Sequence, residues 1–292
     1  MLNKKLKIGF IGTGVMGKSM ANNILSSGLT LYVYNRTKLH AQSLLDAGAI
    51  WKENVAELSS SVDVIITMVG YPKDVEGIYF GDQGIIKNSK IESTVIDMTT
   101  SKPSLAKQIY TEAKAHGINA LDAPVSGGDI GAKNANLAIM VGGDKEIFEK
   151  IKPIFELMGK NIILQGNAGA GQHTKMCNQI AIASNMIGVC EAMIYAKKAG
   201  LNPETVLKSI ESGAAGSWSL SNLAPKMLKG DFEPGFYVKH FVKDMNIALS
   251  EAKEMGFLAP GLKLSKELYD ELVVLGKENS GTQVLYQLLD KN

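Results

Sequence analysis

Two cysteines, Cys177 and Cys190, are all the thiols in 292 residues, so no disulfide framework holds this chain together. On one helix they would stand about 20 Å apart along its axis, too far to pair. An excess of one charge is also missing. The formal net charge is +2, which offers neither nucleic acid nor an anionic membrane a surface to bind. No run approaches the ~18 consecutive apolar residues of a transmembrane helix, and there is no internal repeat or low-complexity tract. No histidine, cysteine or acidic cluster has metal-ligand spacing, so no metal is expected; His40, His116 and His240 are isolated. The opening residues MLNKKLKIGFIG have the charged start and apolar run of an export signal. Glycines break that run and serve better as a turn, so a strand is expected there. Free thiols without an export signal imply a reducing, cytoplasmic setting.

What the chain has begins at once. Residues 7–17 read KIGFIGTGVMG. Ile8-Gly9-Phe10-Ile11 suits a buried parallel strand, Gly12, Gly14 and Gly17 follow, and VMGKSMANNILSSG has helical spacing. In a strand–turn–helix of this kind Gly12 permits the tight turn. Gly14 lets backbone approach a phosphate with no Cβ between, and Gly17 lets helix and strand pack closely. The helix start, at Val15 and Met16, presents free N–H groups and a positive dipole end to a pyrophosphate. A dinucleotide site is expected; a purely structural turn is the plainer alternative.

Length suggests about two domains. Residues 29–34 read as a second strand and 37–47 as its helix. Further short apolar runs lie at 62–69, 94–98 and 118–123, with 137–141 and 162–164 extending the series to about residue 165. Strands alternating with helices predict an α/β domain over 1–165, a parallel, doubly wound Rossmann sheet with ligand at the carboxyl ends of its strands. Met68 and Val69, closing the third run, are candidate cofactor contacts. From Ala170 to Lys198 the chain is apolar-rich, without proline and with two glycines, and predicts a long, largely buried helix. Everything after it is helical in pattern, so 166–292 is expected to be an interdomain helix followed by an all-α domain. Trp218, in GAAGSWSL, reads as a core residue, with a place at the domain cleft as the alternative.

About 20 residues past the glycines, an acidic side chain at the end of the second strand accepts from the adenosine ribose 2′-OH and repels a 2′-phosphate. Asn35-Arg36-Thr37 and Lys38 stand here instead. No carboxylate opposes a phosphate, and the Arg36 guanidinium can bind it and stack on adenine. NADP(H) is therefore expected over NAD(H), with Asn35, Arg36 and Thr37 as contacts; the plainer reading leaves Arg36 and Lys38 merely solvated.

The stretch GAGQHTKMCNQ at 169–179 opens the long helix and puts Lys175, Asn178 and Gln179 at i, i+3 and i+4 on one face. A lysine in the first turns of an apolar helix is costly to bury. Near the positive helix end, partly desolvated, its pKa is expected to fall toward neutrality, which makes it a usable proton donor or acceptor. The alternative is a lysine snorkelling to solvent. His173, two residues earlier, points elsewhere.

FIGTGVMG, DAPVSGG at 122–128 and GAGQHTKMCNQ, in this order and at these spacings, resemble the β-hydroxyacid dehydrogenases over nearly the whole chain. That family includes 3-hydroxyisobutyrate dehydrogenase, tartronate semialdehyde reductase and glyoxylate/succinic semialdehyde reductase. The resemblance implies Lys175 as catalytic acid/base, Ser126-Gly127-Gly128 as the substrate-carboxylate site and Asn178 as a substrate-orienting residue. It also implies Thr100 near the nicotinamide and Lys243, in KDMNIAL, closing over the cofactor. On residue chemistry alone, Ser126-Gly127-Gly128 is a turn whose N–H groups can cradle a carboxylate. Asp122 is a turn or packing residue, and Lys243 is equally an ordinary surface lysine. Many relatives carry asparagine four residues past the lysine, where this chain has Gln179, and the role of that glutamine stays open.

The expected activity is hydride transfer between NADP(H) and a small aldehyde or hydroxy acid bearing a carboxylate, in a homodimer or homotetramer. Oxidative decarboxylation as in 6-phosphogluconate dehydrogenase needs a carboxylate seven residues past the lysine, where Ile182 stands. Imine reductases usually lack the lysine. A catalytically silent NADP-binding sensor or scaffold is the alternative of another class; it would keep the glycine turn but need not keep Lys175 or Ser126-Gly127-Gly128.

Overall fold

The computed structural model describes residues 5–291, so the first four residues of the signal-like opening lie outside the described residues. The chain divides into two compact units, Met1–Lys175 and Met176–Asn292. In the first, the described strands are β1 Lys7–Ile11, β2 Thr30–Tyr34, β3 Ile50–Trp51, β4 Val64–Thr67 and β5 Thr94–Asp97, then β6 Asn119–Asp122, β7 Val125–Ser126, β8 Leu137–Gly143 and β9 Gly159–Gly166. They form one sheet in the order β3-β2-β1-β4-β5-β6-β8-β7, with β9 paired to β8. From β3 to β6 every pairing is parallel, as the strand–helix alternation predicts. Adjacent residues on one strand feed opposite cores. Ile66 and Ile96 join Phe10 and Met20 on one face, whereas Ile65 and Val95 join Leu58, Val75 and Tyr79 on the other. A sheet buried on both faces reads in sequence as continuous apolar runs, which is why these strands are so visible.

Two features of the sheet go beyond its apolar runs. β3 and β7 have two residues each, too short for any periodicity to reveal. β8 runs antiparallel to β6 and β7, because only Gly127 to Asn136 connect β7 to β8, and a parallel return needs a crossover of a dozen or more residues. The helix expected at 37–47 is divided into a 3₁₀ turn, Lys38–Ala41, and the α-helix Gln42–Asp46.

The long helix is Ala170–Lys198. Although no run of consecutive apolar residues marks a membrane span, by length and mean hydropathy this helix is long and apolar enough to cross one. Its Met186, Val189, Cys190 and Met193 are nevertheless core residues of the second unit, packed with Phe241, Met245, Tyr269 and Leu272. That unit also holds the helices Pro203–Ile210, Val238–Glu254 and Pro260–Val274. Trp218 is 61% exposed rather than in the core. It opens the short helix Trp218–Asn222, capped by the Ser217 hydroxyl on Leu220 N at 3.0 Å, and Ser219 and Leu220 take the buried side. Cys177 and Cys190 are both free thiols.

Candidate active site

β1 ends at Ile11 and the chain turns on Gly12, whose φ is +96° and whose missing Cβ would run into the Met68 carbonyl. The turn is held by Gly12 N donating to Tyr34 O (3.0 Å) and Met68 N donating to Ile11 O (2.9 Å). At Gly17 a Cβ would strike the Gly12 carbonyl, so glycine is what brings the helix Val15–Ser26 onto the strand. Gly14 is different. It caps that helix with no side-chain hydrogen bond, and nothing lies within 4 Å of where its Cβ would stand. Val15 is exposed beside it, and Met16 packs partly on the core. The buried hydroxyl of Thr13 has no partner among the described residues. A helix start with open space over its cap and an orphaned hydroxyl in the turn fits a dinucleotide pyrophosphate.

At the end of β2, Asn35 works within the protein. Its Oδ1 accepts from Thr13 N (3.0 Å) and its Nδ2 donates to Thr37 O (2.9 Å), tying the glycine turn to the next loop. Arg36 and Thr37 are exposed. Lys38 Nζ sits 5.1 Å from the centre of the Trp51 ring, a cation–π contact. No carboxylate stands among these four residues.

The ends of β4, β5 and β6 meet the start of the long helix. Asp97 is fully buried; its Oδ1 accepts from the Thr67 hydroxyl (2.8 Å) and from Thr99 N (3.1 Å). Burial outweighs those bonds and pushes its pKa up to about 6. The Thr99 hydroxyl accepts from Val69 N at 3.0 Å. Asp122 accepts from Gly169 N (2.7 Å, Oδ1) and Gln172 N (2.8 Å, Oδ2), so this carboxylate caps the long helix. Burial raises its pKa despite those donors. Gln172, completely buried, accepts from Ser101 N (2.9 Å, Oε1) and donates Nε2 to Thr99 O (2.7 Å), one bond on each side of Thr100.

One turn further along the helix, Lys175 is only 7% exposed. Its Nζ donates to Val125 O at 2.8 Å, so it does not snorkel. The next residues are Ser126, then Gly127 and Gly128 with φ of +132° and +64°, conformations that favour glycine. The structure therefore brings Lys175 to the head of the Ser126-Gly127-Gly128 turn.

In the second unit Asn178 and Lys243 converge on one carboxylate. Asn178 Nδ2 donates to Gln179 Oε1 (2.7 Å) and Gln179 Nε2 donates to Asp244 Oδ2 (2.6 Å). Lys243 Nζ lies 3.0 Å from Asp244 Oδ1, with its side chain 12% exposed, so it is no ordinary surface lysine. Gln179 and Asp244 are themselves buried. Among the described residues no group of histidines, cysteines and acids could hold a metal. Gln172 and Asp244 lie inside GAGQHTKMCNQ and KDMNIAL but carry no role there by sequence, because the partners that reveal them are distant in the chain. Their only local signals are adjacency, Gln172 to the glycines of GAGQ and Asp244 to Lys243.

Two family models cover most of the chain. One, the NAD binding domain of 6-phosphogluconate dehydrogenase, matches residues 7–166. The other, the NAD-binding domain of NADP-dependent 3-hydroxyisobutyrate dehydrogenase, matches residues 169–289. The chain is 68% identical over 284 residues to the uncharacterised oxidoreductase YkwC of Bacillus subtilis strain 168, covering 97% of this chain and 99% of that one. It is 39% identical over 285 residues to the 2-hydroxy-3-oxopropionate reductase of Escherichia coli K12, covering 98% and 97%. Among solved structures it resembles the 3-hydroxyisobutyrate dehydrogenase of Mycobacterium tuberculosis determined with L-serine, at 28% identity and a TM-score of 0.89 over 98% of this chain and 99% of that one.

Proposed function

The chain belongs to the β-hydroxyacid dehydrogenase family, nicotinamide-dependent enzymes of small hydroxy acids, and from that premise we propose an NADP-dependent semialdehyde reductase with Lys175 as general acid/base. The observation that carries this reading is the buried Lys175 ammonium, fixed on Val125 O at the head of Ser126-Gly127-Gly128. The backbone N–H groups and the hydroxyl of that turn hold the substrate carboxylate, which sets the aldehyde oxygen within reach of Nζ. Bound NADPH supplies a hydride to the carbonyl carbon. As the C=O bond becomes C–O, Lys175 delivers its proton to the oxygen and is left neutral, to be reprotonated from solvent; in the oxidative direction it takes the hydroxyl proton. Asn178 orients the substrate. Thr100, Met68 and Val69 line the nicotinamide side, and Lys243 closes over the cofactor. Gly12, Gly14 and Gly17 seat the pyrophosphate.

Preference for NADPH is supported by exposed Arg36 and Thr37 at the end of β2, with no acidic residue to repel a 2′-phosphate. The direction favoured is reduction, yielding a hydroxy acid. The similarity to a 2-hydroxy-3-oxopropionate reductase makes tartronate semialdehyde the first substrate to assay, with methylmalonate semialdehyde, succinic semialdehyde and glyoxylate beside it. NADPH oxidation across that panel tests the activity, and Lys175→Ala tests the mechanism. The variant is expected to bind NADPH as before while turnover falls by about 10²-fold or more. Retained turnover would sink the assignment of Lys175. Cofactor binding without oxidation by any panel member would favour a silent NADP-binding protein.

A further inference from the structure

We propose that Gln172 is a positioning residue that locks the loops on the nicotinamide side to the helix bearing Lys175; the inference rests on the functional reading given above. An amide buried in this way is costly unless its donor and acceptor are used, and the first turn of a helix capped by Asp122 makes no demand for one. At Gln172 each end is used, and in one orientation only. The Ser101 N–H must face Oε1 and the Thr99 carbonyl must face Nε2; turning the amide over would set donor against donor and acceptor against acceptor.

Those two bonds bracket Thr100, holding the carbonyl before it and the N–H after it. Thr99 carries the tie onward, since its hydroxyl accepts from Val69 N and its own N–H donates to Asp97. One side chain on the long helix thus reaches both loops assigned to the nicotinamide, at Val69 and at Thr100. Toward the substrate side, the backbone N–H of Gln172 is held by Asp122. Lys175 follows at i+3, on the same face of the helix, with Nζ on Val125 O. Gln172 need not touch cofactor or substrate. It fixes the distance between groups that do, and displacements near 1 Å in such an arrangement cost rates on the order of 10²-fold.

The test uses the full chain with two substitutions. Gln172→Met removes both side-chain bonds at similar volume and leaves the backbone bond to Asp122. Gln172→Glu keeps an acceptor for Ser101 but turns an oxygen toward the Thr99 carbonyl unless the acid is protonated. Hydrogen exchange over 98–102 is measured without nucleotide, NADPH affinity by fluorescence titration, and kcat against pH. In Gln172→Met the Ser101 amide is expected to exchange about tenfold faster or more, with weaker NADPH binding and kcat lowered roughly 10- to 100-fold. Gln172→Glu is expected to regain kcat as pH falls, because the protonated acid again donates to Thr99 O, a gain the unaltered protein lacks. Should Gln172→Met not fold, the Gln172→Glu profile decides alone. Wild-type exchange and NADPH affinity in folded Gln172→Met, or a Gln172→Glu profile parallel to wild type, overturns the proposal. Exchange without nucleotide does not depend on the reaction. A Lys175→Ala protein that still turned over would therefore remove the functional reading and leave this result standing.

Discussion

At the scale of single residues, the first unit puts a price on its order at Asp97. This carboxylate accepts from Thr67 and Thr99 beneath the loops assigned to the cofactor, and burial holds its pKa at about 6 against an ordinary 3.8. A folded-state pKa above the unfolded one means that the folded protein binds the proton more tightly between pH 4 and 6. The contribution to stability is fully present below the unfolded value and is lost as pH rises through about 6. Two pH units correspond to about 3 kcal/mol. Asp97→Asn keeps an oxygen for both donors and removes the titration. Urea unfolding of both proteins at several pH values is therefore expected to show wild type losing about 3 kcal/mol relative to Asp97→Asn between pH 4 and 7.5. A constant difference across that range would show that Asp97 stays ionised in the folded state.

At the scale of elements, one helix carries residues assigned to the site in both units. Ala170–Lys198 starts on the Asp122 cap, carries Gln172 and Lys175 in the first unit, and carries Asn178 and Gln179 in the second. The polarity of the Asn178–Gln179–Asp244 relay follows from its carboxylate end. Asp244 only accepts, so Gln179 turns its NH₂ to Asp244 and its oxygen to Asn178, which leaves Asn178 Oδ1 directed away from the relay. Exchanging the partners, with Gln179→Glu and Asp244→Asn together, reverses donor and acceptor between positions 179 and 244 but keeps an acceptor for Asn178 Nδ2 and the net charge. Asp244→Asn alone is expected to lower kcat/KM by about tenfold, and Gln179→Glu alone sets two carboxylates together and destabilises the unit. The double variant should return to within about threefold of wild type. A double variant no better than the worse single one would remove the relay. The helix that carries these residues was legible to the residue, because its apolar-rich, proline-free composition is local and glycines mark its entry. The glycine turn and the parallel strands were legible for the same reason. What escaped was non-local. Asp122 and Gln172 are bonded across 50 positions, Gln179 and Asp244 across 65, and no periodicity encodes a partner at such range. Trp218 misled because tryptophan usually marks a core, whereas here it opens a short capped helix.

At the scale of the whole molecule, each unit has its own apolar core, and the residues assigned to the pyrophosphate, the adenosine end and Thr100 all fall in Met1–Lys175. A nucleotide that binds the folded first unit and not the unfolded chain must raise its stability by mass action. At a hundredfold excess over Kd that is about 2.7 kcal/mol, or roughly 5–10 °C in the midpoint of a unit this size. The proposed preference for NADPH rests on Arg36, Thr37 and Lys38, since a 2′-phosphate beside them would meet cations and no carboxylate. Lys38, held near Trp51, contributes charge more than geometry. Differential scanning calorimetry of the full chain is therefore expected to show a larger shift with NADPH than with NADH at equal concentration. In Arg36→Ala the two shifts converge, because the NADPH shift shrinks while the NADH shift stays. Lys175→Ala should keep the wild-type shifts, because the lysine faces Val125 and not the phosphates. Equal shifts for the two nucleotides in the unaltered protein would mean that Arg36 is merely solvated, and the assignment of NADP would fall while the hydride-transfer site remained.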